Sequence, residues 1–424
     1  MSTILFSLFF LVTIISAAAG FAGIFFKQTN GISRMEYFSI AIALGFGIIS
    51  LITLGIAAIG LLHPLLFFVV IAAGNGFFLI HIKNFRTAGK RSPLGDLGLL
   101  LVPFLLADLF YCLFPPTFYD SMMYHLAIPN LYLMKGGMVP WVTNFNASLP
   151  LNGEMLYLFT LMGGGLHMPK LISLVSGVLI AILLYAWFRD SFQKKYSWLP
   201  ALAFLSIPQV GFLMSASKPD LPGMLFLLAG CRMFFIYAKQ SHRLSTLLVS
   251  GSLFGLAVGT KYIFGFYLGA FLVAILLLGK DPLIRRIRSV LVIGGMTLLL
   301  MAPWFIKNQV QMGNPVYPYL NRVFHNHNWD GEQAEMFSTV IRRGTGKTIP
   351  DYLLFPFRIF LTPYSYGVTA VWGLLFLLLL PLAFFQKGDH TGKILLVTGC
   401  LAHLFLLPFA MVPRYFLPVF LFLA

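Results

Sequence analysis

Fourteen apolar runs follow one another along this chain, and short polar connections separate most of them. They lie at 4–26, 36–62, 65–81, 97–114, 151–166, 171–188, 197–214, 220–238, 245–260, 262–279, 289–306, 368–385, 394–412 and 415–424. Continuous runs of ~17–25 residues suit spanning helices, whereas barrel strands alternate over ~10 residues. Only 10% of the 424 residues are charged and 59% are hydrophobic, against about 25% charged in a soluble domain. Such a chain cannot cover a core with polar surface. We expect an all-α, polytopic transmembrane helical bundle. The run 415–424 is too short to span, so either the chain ends inside a helix or the sequence is a truncated form.

The net charge is +16, from 29 Lys+Arg and 13 Asp+Glu. In a soluble protein this would point to nucleic acid. Here the basic residues gather between apolar runs, the pattern that orients membrane helices. We therefore expect no nucleic-acid partner and a role for the membrane, with anionic headgroups or a lipid phosphate as natural ligands. Cys112, Cys231 and Cys400 lie in or at the ends of apolar runs with no CxxC, which argues against disulfides and zinc–thiolate sites. The N-terminus has no basic segment ahead of its apolar run and reads as a first spanning helix, not a cleaved signal.

Basic clusters occur at Lys83/Arg86/Lys90/Arg91, Arg189/Lys194/Lys195, Lys239/His242/Arg243 and Lys280/Arg285/Arg286/Arg288. By the positive-inside rule all four are cytoplasmic. The stretch Pro115–Pro150 then faces outside, with the turns at Ser217–Asp220 and Thr260–Lys261 and the loop 308–367. This parity holds only if 151–166 does not span. That run is ~24 Å long as a helix, against ~30 Å of hydrocarbon. It also carries Glu154 near its start. We expect a re-entrant or surface-lying helix there, so that the outer loops run over 115–170 and 308–367. The count is about 12 spans plus a partial one.

With 13 acids in the chain, each placement carries information. Asp120 and Asp220 both fall on the outer side at the ends of apolar runs. Each suits a helix N-terminus; each also suits a carboxylate that deprotonates or orients an acceptor. Tyr124, four residues after Asp120, is spaced to hydrogen-bond it. His125, five residues on, is badly spaced for a shared α-helical face. Lys261 is an unusual outer-side cation, either snorkelling or binding phosphate. Lys307 and Arg414 end apolar runs on the same side and read as interface anchors or further cations. Glu154 is a first-turn helix acid or a third polar group of the cavity. His325 and His327 read as solvated loop histidines or a metal pair.

Several stretches together resemble bacterial polyprenyl-phosphate-sugar-dependent glycosyltransferases of the protein-mannosyltransferase/aminoarabinose-transferase group (glycosyltransferase C-type fold, family 39-like). They are Tyr119-Asp120-Ser-Met-Met-Tyr124-His125-Leu, Lys218-Pro219-Asp220-Leu-Pro, Gly255-Leu-Ala-Val-Gly259-Thr260-Lys261-Tyr262, Pro303-Trp304-Phe-Ile-Lys307-Asn308 with Gly313-Asn314-Pro315-Val-Tyr317-Pro318, and Arg414-Tyr415-Phe-Leu-Pro418. The resemblance covers about 97–424 and leaves 1–96 as additional N-terminal helices. It implies Asp120 as the catalytic acid of the first outer loop and Asp220 as a supporting acid. It maps the lipid-phosphate cations onto Lys261 and Arg414. The family's paired Asp-Glu is here Asp120-Ser121, which leaves metal dependence open, with a divalent metal as the one cofactor to consider.

The expected activity is inverting single-displacement transfer of a sugar from a polyprenyl-phosphate donor to a hydroxyl or amine of a lipid, protein or glycan acceptor. The expected location is the outer, periplasmic side of the inner membrane. Asp120 and Asp220 are the catalytic candidates; Tyr124, His125, Glu154, Lys218, Lys261, Tyr262 and Arg414 are the substrate-binding candidates. Two rivals remain. A lipid-linked sugar flippase or transporter would show internal repeats and mid-span ionisable groups. An O-antigen ligase or polymerase would rely on outer-loop Arg322, His325, Arg342 or Arg343.

Overall fold

The computed structural model of the protein describes residues 2–28, 32–85, 94–191, 197–239, 242–324, 331–341, 348–362, 390–407 and 411–423. Among these residues the regular structure is helical, with no strand. The helices are α1 (Ser2–Phe25), α2 (Arg34–Ala58), α3 (Pro64–His81), α4 (Leu94–Cys112), α5 (Ala127–Lys135), α6 (Asn152–Gly164), α7 (Met168–Ser191), α8 (Leu199–Leu205) and α9 (Pro208–Met214). Then come α10 (Asp220–Lys239), α11 (Leu244–Val258), α12 (Ile263–Leu278), α13 (Leu283–Met312), α14 (Asn321–Phe324), α15 (Gly331–Ile341), α16 (Ile349–Leu361), α17 (His390–Leu406) and α18 (Leu417–Leu423). Among the described residues α1, α2, α3, α7, α10 and α13 are long and apolar enough to cross a membrane. Large apolar side chains such as Phe9, Phe25, Leu65, Leu79 and Leu291 stand exposed on the outside of the bundle. Both features are compatible with a helical membrane protein.

The centre is α10, buried from Asp220 through Tyr237 and packed against α7, α11 and α2. A helix apolar on every side belongs in the interior of a bundle. By contrast α13 buries one stripe, Ser289, Ile293, Thr297, Met301, Trp304 and Asn308, at the i, i+3/i+4 spacing of a one-sided helix. Close approach between helices uses small residues, as is common in membrane bundles. A Cβ on Gly20 of α1 would lie 2.0 Å from the Gly74 carbonyl oxygen of α3, so that crossing admits no larger side chain.

Two sequence expectations change. The run 197–214 is not one helix. Pro208 lacks an N–H and biases Ile207 to an extended conformation (φ −76, ψ 116), which divides the run into α8 and α9. The run 151–166 forms α6, 13 residues long, which is ~20 Å. Asn152 through Thr160 are buried and the helix packs against α2, α5 and α7, which excludes the surface-lying alternative and leaves the re-entrant one. The run 368–385 lies outside the described residues. So do Arg86, Lys90, Arg91, Lys194, Lys195, His325, His327, Arg342, Arg343 and the side chain of Arg322.

The N-terminal helices are tied to the rest by a buried charge pair. Ser33 and Glu36 form a capping box at the start of α2, in which each satisfies a backbone N–H of the other. The second Glu36 oxygen accepts from Arg232 Nε of α10 at 2.5 Å. Asp190 at the end of α7 lies 3.7 Å from the same guanidinium. Removing one member of a buried pair leaves the other uncompensated. Glu36→Ala should therefore lower the unfolding free energy of the detergent-solubilised protein by about 3–5 kcal/mol. A loss below about 1 kcal/mol, the range of an exposed pair, would show that the pair does not hold α2 in place.

Candidate active site

The chain after α4 reaches its first acid, Asp120, at the entrance to a single π-helical turn, Ser121–His125. Asp120 does not cap this turn: its backbone is already helical and its side chain makes no capping bond. The carboxylate instead turns to cations from two distant segments. Asp120 Oδ2 accepts from Lys218 Nζ at 2.6 Å and from Arg414 Nη2 at 3.3 Å. The π-turn is held in place by Ser121, whose hydroxyl donates to the Ser217 carbonyl at 3.3 Å. That contact binds the Asp120 segment to the turn that carries Lys218.

Asp220 opens α10 in its first turn, where a helix N-terminus favours an anion. Its Oδ2 accepts from Lys261 Nζ at 2.7 Å, and Arg414 Nε lies 3.7 Å from its Oδ1. Lys261 stands in the turn between α11 and α12. Arg414 stands in a 3-10 turn, Pro413–Phe416. Four separate segments thus bring two carboxylates and three cations together, and Arg414 bridges the two acids. Five of the nine site residues expected from sequence meet here: Asp120, Lys218, Asp220, Lys261 and Arg414. Lys261 and Arg414 are neither snorkelling nor idle anchors, since each is bound to a carboxylate.

The cluster has an inner and an outer side. The Lys218 side chain is 0% exposed and its ammonium lies 4.2 Å from the centre of the Phe118 ring. It is a buried support for Asp120. The side chains of Asp120, Arg414 and Lys261 keep 16–17% exposure and form the accessible edge. Burial opposes the charged form of Asp120, but Lys218, Arg414 and Lys261 outweigh it and hold the carboxyl below the usual carboxylate range. Burial, and next Arg414, push Lys218 below the usual lysine range, and Asp220 and Asp120 offset part of this. With all five groups ionised, three cations stand against two carboxylates; Lys218, pushed down to about 7, is partly neutral near pH 7, so the positive charge at the exposed edge is that of Lys261 and Arg414. A crevice with room for about one water molecule adjoins the cluster; Asp220 and Arg414 form its polar wall, and Leu213, Leu221, Met224 and Phe264 are among its apolar walls.

The remaining expected residues take other places. Tyr124 makes no hydrogen bond to Asp120 among the described residues; its ring packs 4.0 Å from that of His125. His125 and Glu154 are buried and bonded to each other. Tyr262 packs edge-on against Tyr319, which packs against Phe337, which reaches Phe145. These contacts tie the loop after α13, and α15, to the first polar stretch. Lys307 is not an interface anchor. It is buried and donates to the Ala147 carbonyl, while Asn308 Nδ2 donates to the Ser148 carbonyl at 2.7 Å. Phe118 and Tyr415 were not expected. The Arg414 guanidinium lies 5.0 Å from the Tyr415 ring centre and the Lys261 ammonium 6.0 Å. A tyrosine directly after a functional arginine was the available signal; Phe118 offered none.

The donor set does not suit a divalent ion. Both carboxylates are already taken by ammonium or guanidinium groups, and no group of three His, Cys, Asp or Glu side chains gathers among the described residues. Lys261 and Arg414 stand at the exposed edge of the cluster, and Arg414 also borders the apolar crevice. The central ion pair can be tested by a double-mutant cycle on Asp120→Asn and Lys218→Met, read by unfolding in detergent. We expect a coupling of about 1.5–3 kcal/mol, the range for hydrogen bonds to charged groups. Strict additivity would break the pair.

Comparison with known proteins yields one match, and it covers nearly the whole chain. The family model described as "Domain of unknown function (DUF8201)" matches residues 1–421, and therefore includes the N-terminal helices as well as the site. No curated protein and no solved structure matches. The chain belongs to the DUF8201 family.

Proposed function

We propose that the protein is a multi-pass membrane glycosyltransferase with a glycosyltransferase C-type arrangement. It moves a sugar from a polyprenyl-phosphate donor to an acceptor hydroxyl or amine on the outer face. The observation that carries this reading is the convergence of Asp120 and Asp220 with Lys218, Lys261 and Arg414 beside an apolar crevice. The positive charge of Lys261 and Arg414 at the exposed edge suits a phosphate leaving group. An apolar wall beside it suits a lipid-borne one. The resemblance noted above supports the assignment of the two acids.

In this scheme the phosphate of the donor is held by Lys261 and Arg414, the two cations on the exposed edge. Asp120 at rest is a weak base because Lys218, Arg414 and Lys261 hold its proton affinity down. When the donor phosphate engages Arg414 and Lys261, their share of that hold weakens and the basicity of Asp120 rises. The carboxylate then takes the proton of the acceptor as the acceptor oxygen or nitrogen attacks the anomeric carbon and the bond to phosphate breaks. A single displacement of this kind inverts the anomeric centre, by the logic of inverting glycosidases. Asp220 keeps Lys261 and Arg414 in place, and Lys218 keeps Asp120 in place.

Mass spectrometry of lipid-linked and envelope glycans, with and without the protein, identifies sugar and acceptor. With that donor in hand, Asp120→Asn in a folded, membrane-inserted protein should lower transfer by about 10²–10⁴-fold. Loss of either exposed cation, Lys261→Ala or Arg414→Ala, should lower it by about 10²–10³-fold. Transfer by Asp120→Asn at the wild-type rate would refute the base assignment.

A further inference from the structure

Behind the charge cluster lie two titratable side chains that the scheme above does not use. His125 and Glu154 are 1% and 2% exposed, and His125 Nδ1 is 2.5 Å from Glu154 Oε1. His125 Nε2 and Glu154 Oε2 are buried with no hydrogen-bond partner among the described residues. The pairing depends on the backbone. In an α-helix, residues five apart point to different sides. Here the Leu126 N–H bonds to the Ser121 carbonyl at 2.9 Å, the i→i+5 closure of a π-turn, and such turns gather at functional sites. The wider turn brings His125 round toward the side of Asp120.

The surroundings decide which form the pair takes. Burial, then Lys261, Lys218 and Arg414, disfavour an imidazolium at His125. Burial also pushes the Glu154 carboxyl up, to about 8, with Lys261 partly opposing and Asp220 adding to the rise. Tyr132 from α5 and Tyr157 on α6 face the same carboxyl. The other packed elements bring no charge: α2 offers Ser50, which bonds to the Asn152 carbonyl, α3 offers Phe67, and α7 offers Ser173. Lys170 of α7 is turned to the carbonyls of Tyr111 and Phe114. An ionised carboxylate would leave its second oxygen charged and unbonded in the interior, the costliest arrangement. A protonated carboxyl needs only one donor bond, and Nδ1 accepts it.

We infer that His125 and Glu154 form an uncharged positioning pair, in which Glu154 keeps its proton and donates it to His125 Nδ1, locking the π-turn that presents Asp120 to Lys218 and Arg414. The role of Asp120 as base rests on the proposed function; the state of the pair does not. These are positioning residues, since neither reaches the accessible edge of the site. Glutamine at position 154 keeps the donor and cannot ionise, whereas alanine removes both.

The test compares wild type, Glu154→Gln and Glu154→Ala in detergent, by thermal unfolding from pH 5 to pH 9. With Glu154 raised from 4.5 to about 8, the unfolded chain releases a proton between those values while the folded one retains it. Wild-type stability therefore falls relative to Glu154→Gln as pH rises toward 8, and the two curves run parallel above it. Glu154→Ala should lie below Glu154→Gln throughout. Parallel curves for wild type and Glu154→Gln from pH 5 to 8 would show that Glu154 is ionised in the fold and overturn the inference. In the transfer assay, Glu154→Ala should lower kcat by about 10²-fold, as a misplaced catalytic group does, with KM for the donor little changed, and Glu154→Gln should restore most of it. Glutamine as poor as alanine would overturn the positioning role. If no protein, wild type included, transfers sugar, the enzymatic reading fails while the unfolding curves still decide the pair.

Discussion

The charge cluster of this molecule depends on one guanidinium. Arg414 lies 3.3 Å from Asp120 and 3.7 Å from Asp220, and so bridges two acids carried by different segments. Two carboxylates at the end of an apolar bundle repel each other and resist burial. Lys218 beneath and Lys261 beside them make the arrangement tolerable, and Arg414 completes it. The cations that allow Asp120 to be buried also hold its carboxyl below the usual carboxylate range.

The backbone around this cluster is held by a second, largely uncharged network. Asn152, at the start of α6, accepts from Trp304 Nε1 through its side chain at 2.9 Å and from Ser50 through its backbone at 2.6 Å. Its own N–H donates to the Gly259 carbonyl, two residues before Lys261. One residue thus links α2, α11 and α13 to the short helix that carries Glu154. Lys307 and Asn308 fix the strand of chain just before it. Hydrogen bonds of this kind are individually modest, yet buried donors and acceptors are expensive to leave unmade.

Glu36, Arg232 and Asp190 form a separate charge group. It brings together the start of α2 and the far ends of α7 and α10, whereas the site lies at the opposite end of α10. The same central helix therefore carries an acid at its first residue for the site and an arginine near its last turns for the scaffold. With this charge group, α2 packs against α6, α7 and α10 as part of the same body.

The sequence by itself determined the all-helical class of the fold and singled out most of the ionisable residues that meet in the cluster. Continuous apolar runs dictate helices because a buried backbone must bond within its own segment. The scarcity of charge made Asp120, Asp220, Lys261 and Arg414 stand out, because an ion beside such runs is costly unless it has a partner. Tertiary structure alone decided which partner each one has. Arg414 and Asp120 are 294 residues apart, and no local spacing encodes that contact. The π-turn was equally hidden: at α-helical spacing Asp120 and His125 diverge, and only a backbone closed from i to i+5 reverses that. Burial did the rest. Whether Glu154 or Lys307 meets a ligand or supports one depends on how much of each is covered, and that is a property of the packed bundle, not of the residues on either side in the chain.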